Sequence, residues 1–306
     1  MNTVESNIGE KALEKASLFT AKETPLEEKI KIVRELFPAE HKETMLASAS
    51  RDTRGRTVRY FRVTTYKDIE RLLTLGETTA SENSSNDEIF EKKKIQIKSS
   101  LARFLEELKL KEKFAKDFQE LSENFTLKNY QQFIQTKLSR LDLFRLQISM
   151  HGGGMYGGIT GLTSCSVGGP LLTPKEPIPR EGYEGLPVIE MVIPDEEVLV
   201  HPLFKTLNIE MEKEVNTKRL KVEWITDIYL SEKDFIERFV ADERVPLHSF
   251  HDRSTYMTDG LPRMSWSAFD TLQDWKRSES IADLIPVSKL KDIDENNPIL
   301  QKPLVI

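Results

Sequence analysis

The 306-residue sequence has a single cysteine, Cys165. One thiol closes no internal disulfide and builds no cysteine-based zinc site. No apolar run reaches the ~18–20 residues a membrane span needs. The opening stretch MNTVESNIGEKALEKASLF lacks an apolar h-region, so no Sec-type signal peptide is expected. An excess of positive charge is also missing. Forty-four basic residues against 50 acidic ones give a net charge of -6, a poor basis for general binding to nucleic acid or anionic membranes. The glycine run at 152–158 is not followed by Gly-Lys-Ser/Thr and sits in no strand–GxGxxG–helix context. It is neither a P-loop nor a dinucleotide-binding turn. Of the histidines 41, 151, 201, 248 and 251, only His248 and His251 are close in sequence. No carboxylate or cysteine cluster stands beside them, and no metal site is expected.

What is present divides the chain by character. Thr24-Pro25-Leu26-Glu27 reads as a helix start, with Thr24 as cap, Pro25 in the first helical position and Glu27 closing a capping box. Residues 57–64 (TVRYFRVT) read as a strand. The pair Thr65 and Asp68 then starts a short helix that carries Ile69, Leu72 and Leu73 and stops at Gly76. Residues 77–87 read as a polar linker. Glycine and proline are absent from 88–139, where apolar residues recur at helical spacing: Leu101, Phe104, Leu105 and Leu108, then Phe114, Phe118 and Leu121, then Tyr130, Phe133, Ile134 and Leu138. That block reads as a lobe of about three amphipathic helices. Strands are expected near 143–149, 159–166, 187–193, 197–201 and 219–229, and a capped helix from Ser231 to Asp234 onward. Residues 241–306, broken by prolines, read as a wrapping tail.

Three features carry possible chemistry. Arg62, among apolar residues just before a helix start, can grip a phosphate bidentately or form a surface salt bridge. It ends an arginine-rich stretch, 51–62, that reads either as an anion site or as a solvated strand entry. Thr163-Ser164-Cys165-Ser166 is a hydroxyl-rich strand after the glycine loop, with Cys165 as a small buried residue. Glu210, Glu212 and Glu214 alternate along the chain and so share a strand face, where a cation, a substrate hydroxyl or solvent must offset their repulsion.

Taken in order, Arg62, Ser164-x-Ser166 and Glu212-x-Glu214 resemble the signature of the arginine/serine/glutamate class of mono-ADP-ribosyltransferases. The resemblance covers residues 57–76 and roughly 141–240. It includes PVIEMVIP, VLVHPLF and KRLKVEWI as further strands, and it departs from the family in having Cys165 within the serine motif and the long block 88–139 between the first two motifs. Rivals exist for two positions: Arg145 for Arg62, and Glu197 with Asp195 for the glutamates. The resemblance implies an α+β protein with a mixed β-sheet ADP-ribosyltransferase-like core and an inserted α-helical lobe at 88–139. The core spans 57–240, between an N-terminal helical segment (1–56) and the tail.

The implied activity is transfer of ADP-ribose from NAD, a consumed substrate, to a side chain of a target protein, expected to be arginine, with no metal. Arg62 and Ser164 would bind NAD, and Glu214 and Glu212 would be catalytic. Cleaving the nicotinamide–ribose bond develops an oxocarbenium-like ribose, which a carboxylate can stabilise. Many relatives of this kind are toxins, which suggests a secreted bacterial effector acting in host cytosol, or otherwise a cytoplasmic protein. A non-enzymatic helix-rich interaction protein and an NAD glycohydrolase remain the alternatives. No nucleic acid and no membrane span are expected.

Overall fold

The computed structural model describes residues 5–80, 84–152, 157–169, 187–203, 205, 213–230, 234, 238 and 280–304. The chain mixes helices with an antiparallel six-stranded sheet, as an α+β reading requires. Strand order is β5-β6-β3-β1-β4-β8. The strands are β1 (Tyr60–Val63), β3 (Thr163–Val167), β4 (Val188–Met191), β5 (Leu199–Val200), β6 (Glu214–Thr217) and β8 (Ile225–Tyr229). Every ladder among them is antiparallel, so the sheet is not mixed in strand direction as expected. A two-stranded ribbon, β2 (Glu77–Thr79) with β7 (Arg219–Lys221), stands beside it.

Alternation along the strands gives the sheet two unlike faces. Tyr60, Cys165, Val167, Ile189, Met191, Val215 and Ile228 point one way and enter an apolar core. That core is closed by helices α1 (Glu5–Lys15), α2 (Leu26–Leu36) and α4 (Tyr66–Leu75), which contribute Ala12, Val33, Leu36, Ile69, Leu72 and Leu73. The residues between them in sequence, Ser164, Ser166, Glu190, Glu214, Asn216, Asp227 and Tyr229, share the other face. All but Ser164 on that list are buried, so this polar face lies inside the molecule. Buried polar groups require partners, and their arrangement is the main structural question the sequence poses.

Helix ends follow local chemistry. Thr65 caps α4 by accepting from the Asp68 amide at 3.1 Å, and Gly76 ends it in the left-handed conformation at φ 75°. At α2 the expected start is one residue early. Lys29 N donates to the Pro25 carbonyl at 3.1 Å, so Pro25 is the cap and no side chain caps that end. A further helix, α3 (Ala39–Ser48), follows Pro38 at once and presents Lys42 and His41 to β8; His41 bonds the Ile225 carbonyl at 2.9 Å.

The Gly- and Pro-free block is helical: α5 (Ser84–Glu107), α6 (Ala115–Glu123) and α7 (Leu127–Lys137). Ribbon strand β2 and the first turn of α5 fall inside the stretch 77–87 that read as a linker. The expected apolar stripes are buried, Leu108 and Phe118 only partly, together with Phe90 and Phe125, whose rings stack at 5.3 Å. The segment expected as a strand at 143–149 belongs instead to α8 (Arg140–Gly152). Ser139 accepts from the Asp142 amide at 3.1 Å and starts that helix. Leu143, Leu146, Gln147 and Met150 are its buried stripe, at i, i+3, i+4 and i+7. The polar residue in the i+4 place broke the pattern that would have disclosed the helix.

The other boundaries shift less. A 3-10 turn fills Gly157–Thr160 where a strand was expected to begin. Residues 219–229 are two strands, not one, because a 3-10 turn at Val222–Trp224 carries the chain from the ribbon to the main sheet. The segment 280–304 is a series of 3-10 turns spanning both apolar cores: Ile281, Leu284 and Ile285 enter the sheet-side core, and Leu304 enters the helical one. The helix expected after Ser231 and the first part of the tail lie outside the described residues, except Asp234 and Arg238.

Candidate functional site

Arg62 stands on β1, Ser164 on β3 and Glu214 at the start of β6, and these three strands are neighbours in the sheet. The register sets Ser164 opposite Asn216 and Ser166 opposite Glu214, which makes Ser164 and Glu214 diagonal neighbours on the polar face. The Ser164 hydroxyl donates to Glu214 Oε1 at 2.6 Å. Gln147, reaching in from α8, donates to the same oxygen at 3.2 Å. Among the described residues no hydrogen bond reaches Glu214 Oε2. One oxygen of the carboxylate is anchored and the other is uncommitted.

Arg62 reaches the group differently from the sequence expectation. Its partner on β4 is Ile189, so its side chain leaves the sheet on the apolar-core face, opposite Ser164 Oγ and Glu214. It is near the end of β1, and from there Nη1 donates to the Ser164 carbonyl at 2.7 Å. The guanidinium is half-buried and has no carboxylate partner among the described residues. The other arginines of 51–62 are spent on structure: Arg56 on Asp52 at 2.7 Å, Arg54 on Asp283 at 3.5 Å, Arg59 on Glu190 at 2.6 Å, and Arg51 on the Thr57 hydroxyl.

The residue before Glu214 is unusual. Lys213 is buried and takes φ 49°, a left-handed conformation that costs a non-glycine residue on the order of 1 kcal/mol. The bend lets the Lys213 carbonyl receive the Val167 amide at 3.0 Å and starts β6 directly at Glu214. Glu212 and Glu210 lie outside the described residues, as do His248, His251 and most of the glycine run.

Neither rival joins this group. Arg145 lies on α8 and pairs with Asp142 at 3.3 Å. Glu197 pairs with Arg219 at 3.2 Å, and Asp195 accepts from the hydroxyls of Ser50, at 2.7 Å, and Ser288. These carboxylates tie the 3-10 turn at 195–197 to its surroundings. Cys165 faces the apolar core, and burial pushes its thiol up to about 12, against the pull of Arg62. It stays protonated and unreactive. His201 is buried beside the Phe144 ring at 4.4 Å and takes the Leu203 amide on Nδ1 at 3.0 Å. Burial pushes it down to about 3, so it is neutral near pH 7.

Sequence reasoning missed Gln147 and Asn216, which complete the hydrogen-bonding group. Gln147 Nε2 also donates to Asn216 Oδ1 at 3.2 Å, and the Ser164 hydroxyl lies 3.4 Å from the same oxygen. The available signal was a polar residue in the apolar stripe of α8, together with Asn216 two places beyond Glu214 on one strand face. A second polar group occupies the other half of the face. Glu190, fully buried, accepts from Arg59 at 2.6 Å, from Lys42 at 3.0 Å and from the Tyr229 hydroxyl. Burial opposes its ionisation, but Arg59, Lys42 and Tyr229 outweigh that and hold its carboxyl below the usual range. Lys42 and Arg238 in turn face Asp227, at 3.4 and 2.8 Å. This network fastens α3 to β4 and β8.

Among the described residues, no group of three His, Cys, Asp or Glu side chains converges as metal ligands would, and no helix is long and apolar enough to cross a membrane. No protein-family model, curated protein or solved structure matches the chain.

Proposed function

We propose that this chain transfers ADP-ribose from NAD to a side chain of a target protein, arginine being the expected acceptor. The observation that carries the reading is the hydrogen bond from Ser164 to Glu214, with Arg62 held on the Ser164 carbonyl. Arg62, Ser164 and Glu214, far apart in sequence, stand on the neighbouring strands β1, β3 and β6, which supports the resemblance to the arginine/serine/glutamate transferases.

The chemistry follows from what each group can do. Glu214, anchored through Oε1, directs Oε2 to a ribose hydroxyl and stabilises the positive charge that develops as the C1′–nicotinamide bond breaks. Ser164 fixes the carboxylate's rotamer. Arg62 supplies a cation that has no carboxylate partner among the described residues, at the sheet end, where the NAD pyrophosphate would lie if the ligand passed over the end of β1. The nicotinamide leaves as a neutral base, the acceptor nitrogen bonds to C1′, and its proton goes to a base, the role given to Glu212 by the resemblance. The acceptor protein would then belong to a host cell.

Incubation with labelled NAD and cell lysate tests the reading. A labelled protein band supports transfer. Free ADP-ribose alone replaces it with glycohydrolysis, and no turnover replaces it with a non-enzymatic interaction protein.

A further inference from the structure

Gln147 and Asn216 are 3% and 1% exposed, and each has used only one end of its amide. Gln147 Nε2 serves both Glu214 Oε1 and Asn216 Oδ1. Among the described residues the opposite ends, Gln147 Oε1 and Asn216 Nδ2, have no hydrogen-bond partner. Turning either amide over does not mend this. A reversed Gln147 would set its oxygen against the Glu214 carboxylate, and a reversed Asn216 would set its amino group against Gln147 Nε2. Folded chains pair nearly all such buried atoms. Orphans among the described residues also fall on Tyr60, Arg140, His201, Thr226 and Asp292, but Gln147 Oε1 and Asn216 Nδ2 are the two that lie beside the Glu214 carboxylate, where a bound ligand would supply the missing partners.

The orphans are one acceptor and one donor, on two different side chains that both flank Glu214. A vicinal diol matches them: one hydroxyl donates to Gln147 Oε1, the other accepts from Asn216 Nδ2. We propose that Gln147 positions Glu214 and that Gln147 Oε1 and Asn216 Nδ2 together hold the nicotinamide-ribose diol of NAD. The inference rests on the NAD reading above and adds a specificity-determining pair to it. It also gives α8 a role at the site, because Gln147 connects the helical core to the carboxylate.

The test uses the full chain with Gln147→Met and Asn216→Leu, which keep side-chain size and remove the hydrogen bonds. Nicotinamide release is measured with NAD and with analogues lacking the 2′ or 3′ hydroxyl of the nicotinamide ribose, alongside thermal melting. Gln147→Met is expected to lower kcat on NAD on the order of 10- to 100-fold with KM changed less than about threefold. The loss caused by Asn216→Leu on NAD is expected to vanish on one of the two deoxy analogues, because that analogue no longer offers the lost contact. If a variant melts early, Gln147→Ser or Asn216→Ser takes its place in the same comparison. Wild-type kinetics in folded variants would overturn the pair while leaving the NAD reading intact. So would losses of equal proportion on NAD and both analogues, the mark of a purely structural role. If the wild-type chain releases no nicotinamide, the NAD reading falls and this inference falls with it.

Discussion

Ser164 and Glu214 face each other diagonally across β3 and β6, with the serine hydroxyl 2.6 Å from Glu214 Oε1. The contact divides the carboxylate into two unlike oxygens. Oε1 is held by Ser164 and Gln147, and among the described residues no hydrogen bond reaches Oε2. A carboxylate fixed this way cannot swing to a different rotamer without breaking two bonds. Such pre-organisation lets a charged group act on a transition state without first reorganising itself.

Glu214→Gln should therefore lower NAD cleavage and transfer by two or more orders of magnitude. The amide oxygen of the variant can still accept from Ser164, so melting temperature should change little. Nicotinamide release and thermal melting, measured on one preparation, check both halves. A fully active variant would remove Glu214 from the mechanism.

Arg62→Ala should raise the KM for NAD about 10-fold or more while costing the fold about 1.5–3 kcal/mol, the value of one hydrogen bond from a charged group. Its guanidinium has no carboxylate partner among the described residues, so its removal strands no buried charge. Arg145→Ala is the control and should leave KM unchanged, because Arg145 is engaged with Asp142 on α8. Weakened NAD binding in the Arg145 variant alone would reverse the assignment.

Glu190→Gln should destabilise the chain by about 3–5 kcal/mol, since it takes the buried carboxylate shared by Arg59 and Lys42 out of the network and leaves Lys42 with Asp227. The pH dependence has a definite sign. Glu190 is held below its unfolded value, so its contribution is complete above the unfolded carboxylate pKa and is lost as pH falls through the lower folded one. Asp227 is pushed up by burial and works in the opposite sense, its penalty growing as pH rises. Subtracting the variant's urea-unfolding free energy from that of the wild type isolates Glu190. The difference should be flat at neutral pH and shrink in acid; a difference that grows in acid would reverse the sign.

How much of this was legible in the sequence depended on where each signal lay. Local chemistry was readable: the Thr65 cap, the Gly76 stop and the apolar stripes of α5 to α7 all follow from short-range spacing. The meeting of Ser164 and Glu214 was accessible only through a resemblance, because the register of β3 on β6 joins residues 50 positions apart. The strand assigned to 143–149 failed for a physical reason. Gln147 occupies a core position of α8 because its partner is a buried carboxylate, and a polar residue there reads as a break in the helical period. The position that misled the pattern is the one that touches the site.

The last prediction concerns the outer surface of the helical block. Helices α5 to α7 bury their own apolar stripes, and the block's described link to Glu214 runs through α8. Among the described residues, Lys94 pairs with Glu91 at 3.0 Å and Lys111 with Glu106 at 3.4 Å, and both pairs are exposed. Pairs of that kind contribute about 0–1 kcal/mol, so reversing them leaves stability nearly unchanged. If the block recognises the acceptor protein, charge reversal at Lys92–Lys94 or at Glu106 and Glu107 should reduce modification of the target severalfold. NAD hydrolysis without a target should stay within about twofold of wild type. Both rates and the melting temperature are read on the same variants. A parallel fall in all three would make the block scaffold alone, and unchanged transfer would move target recognition to another part of the chain.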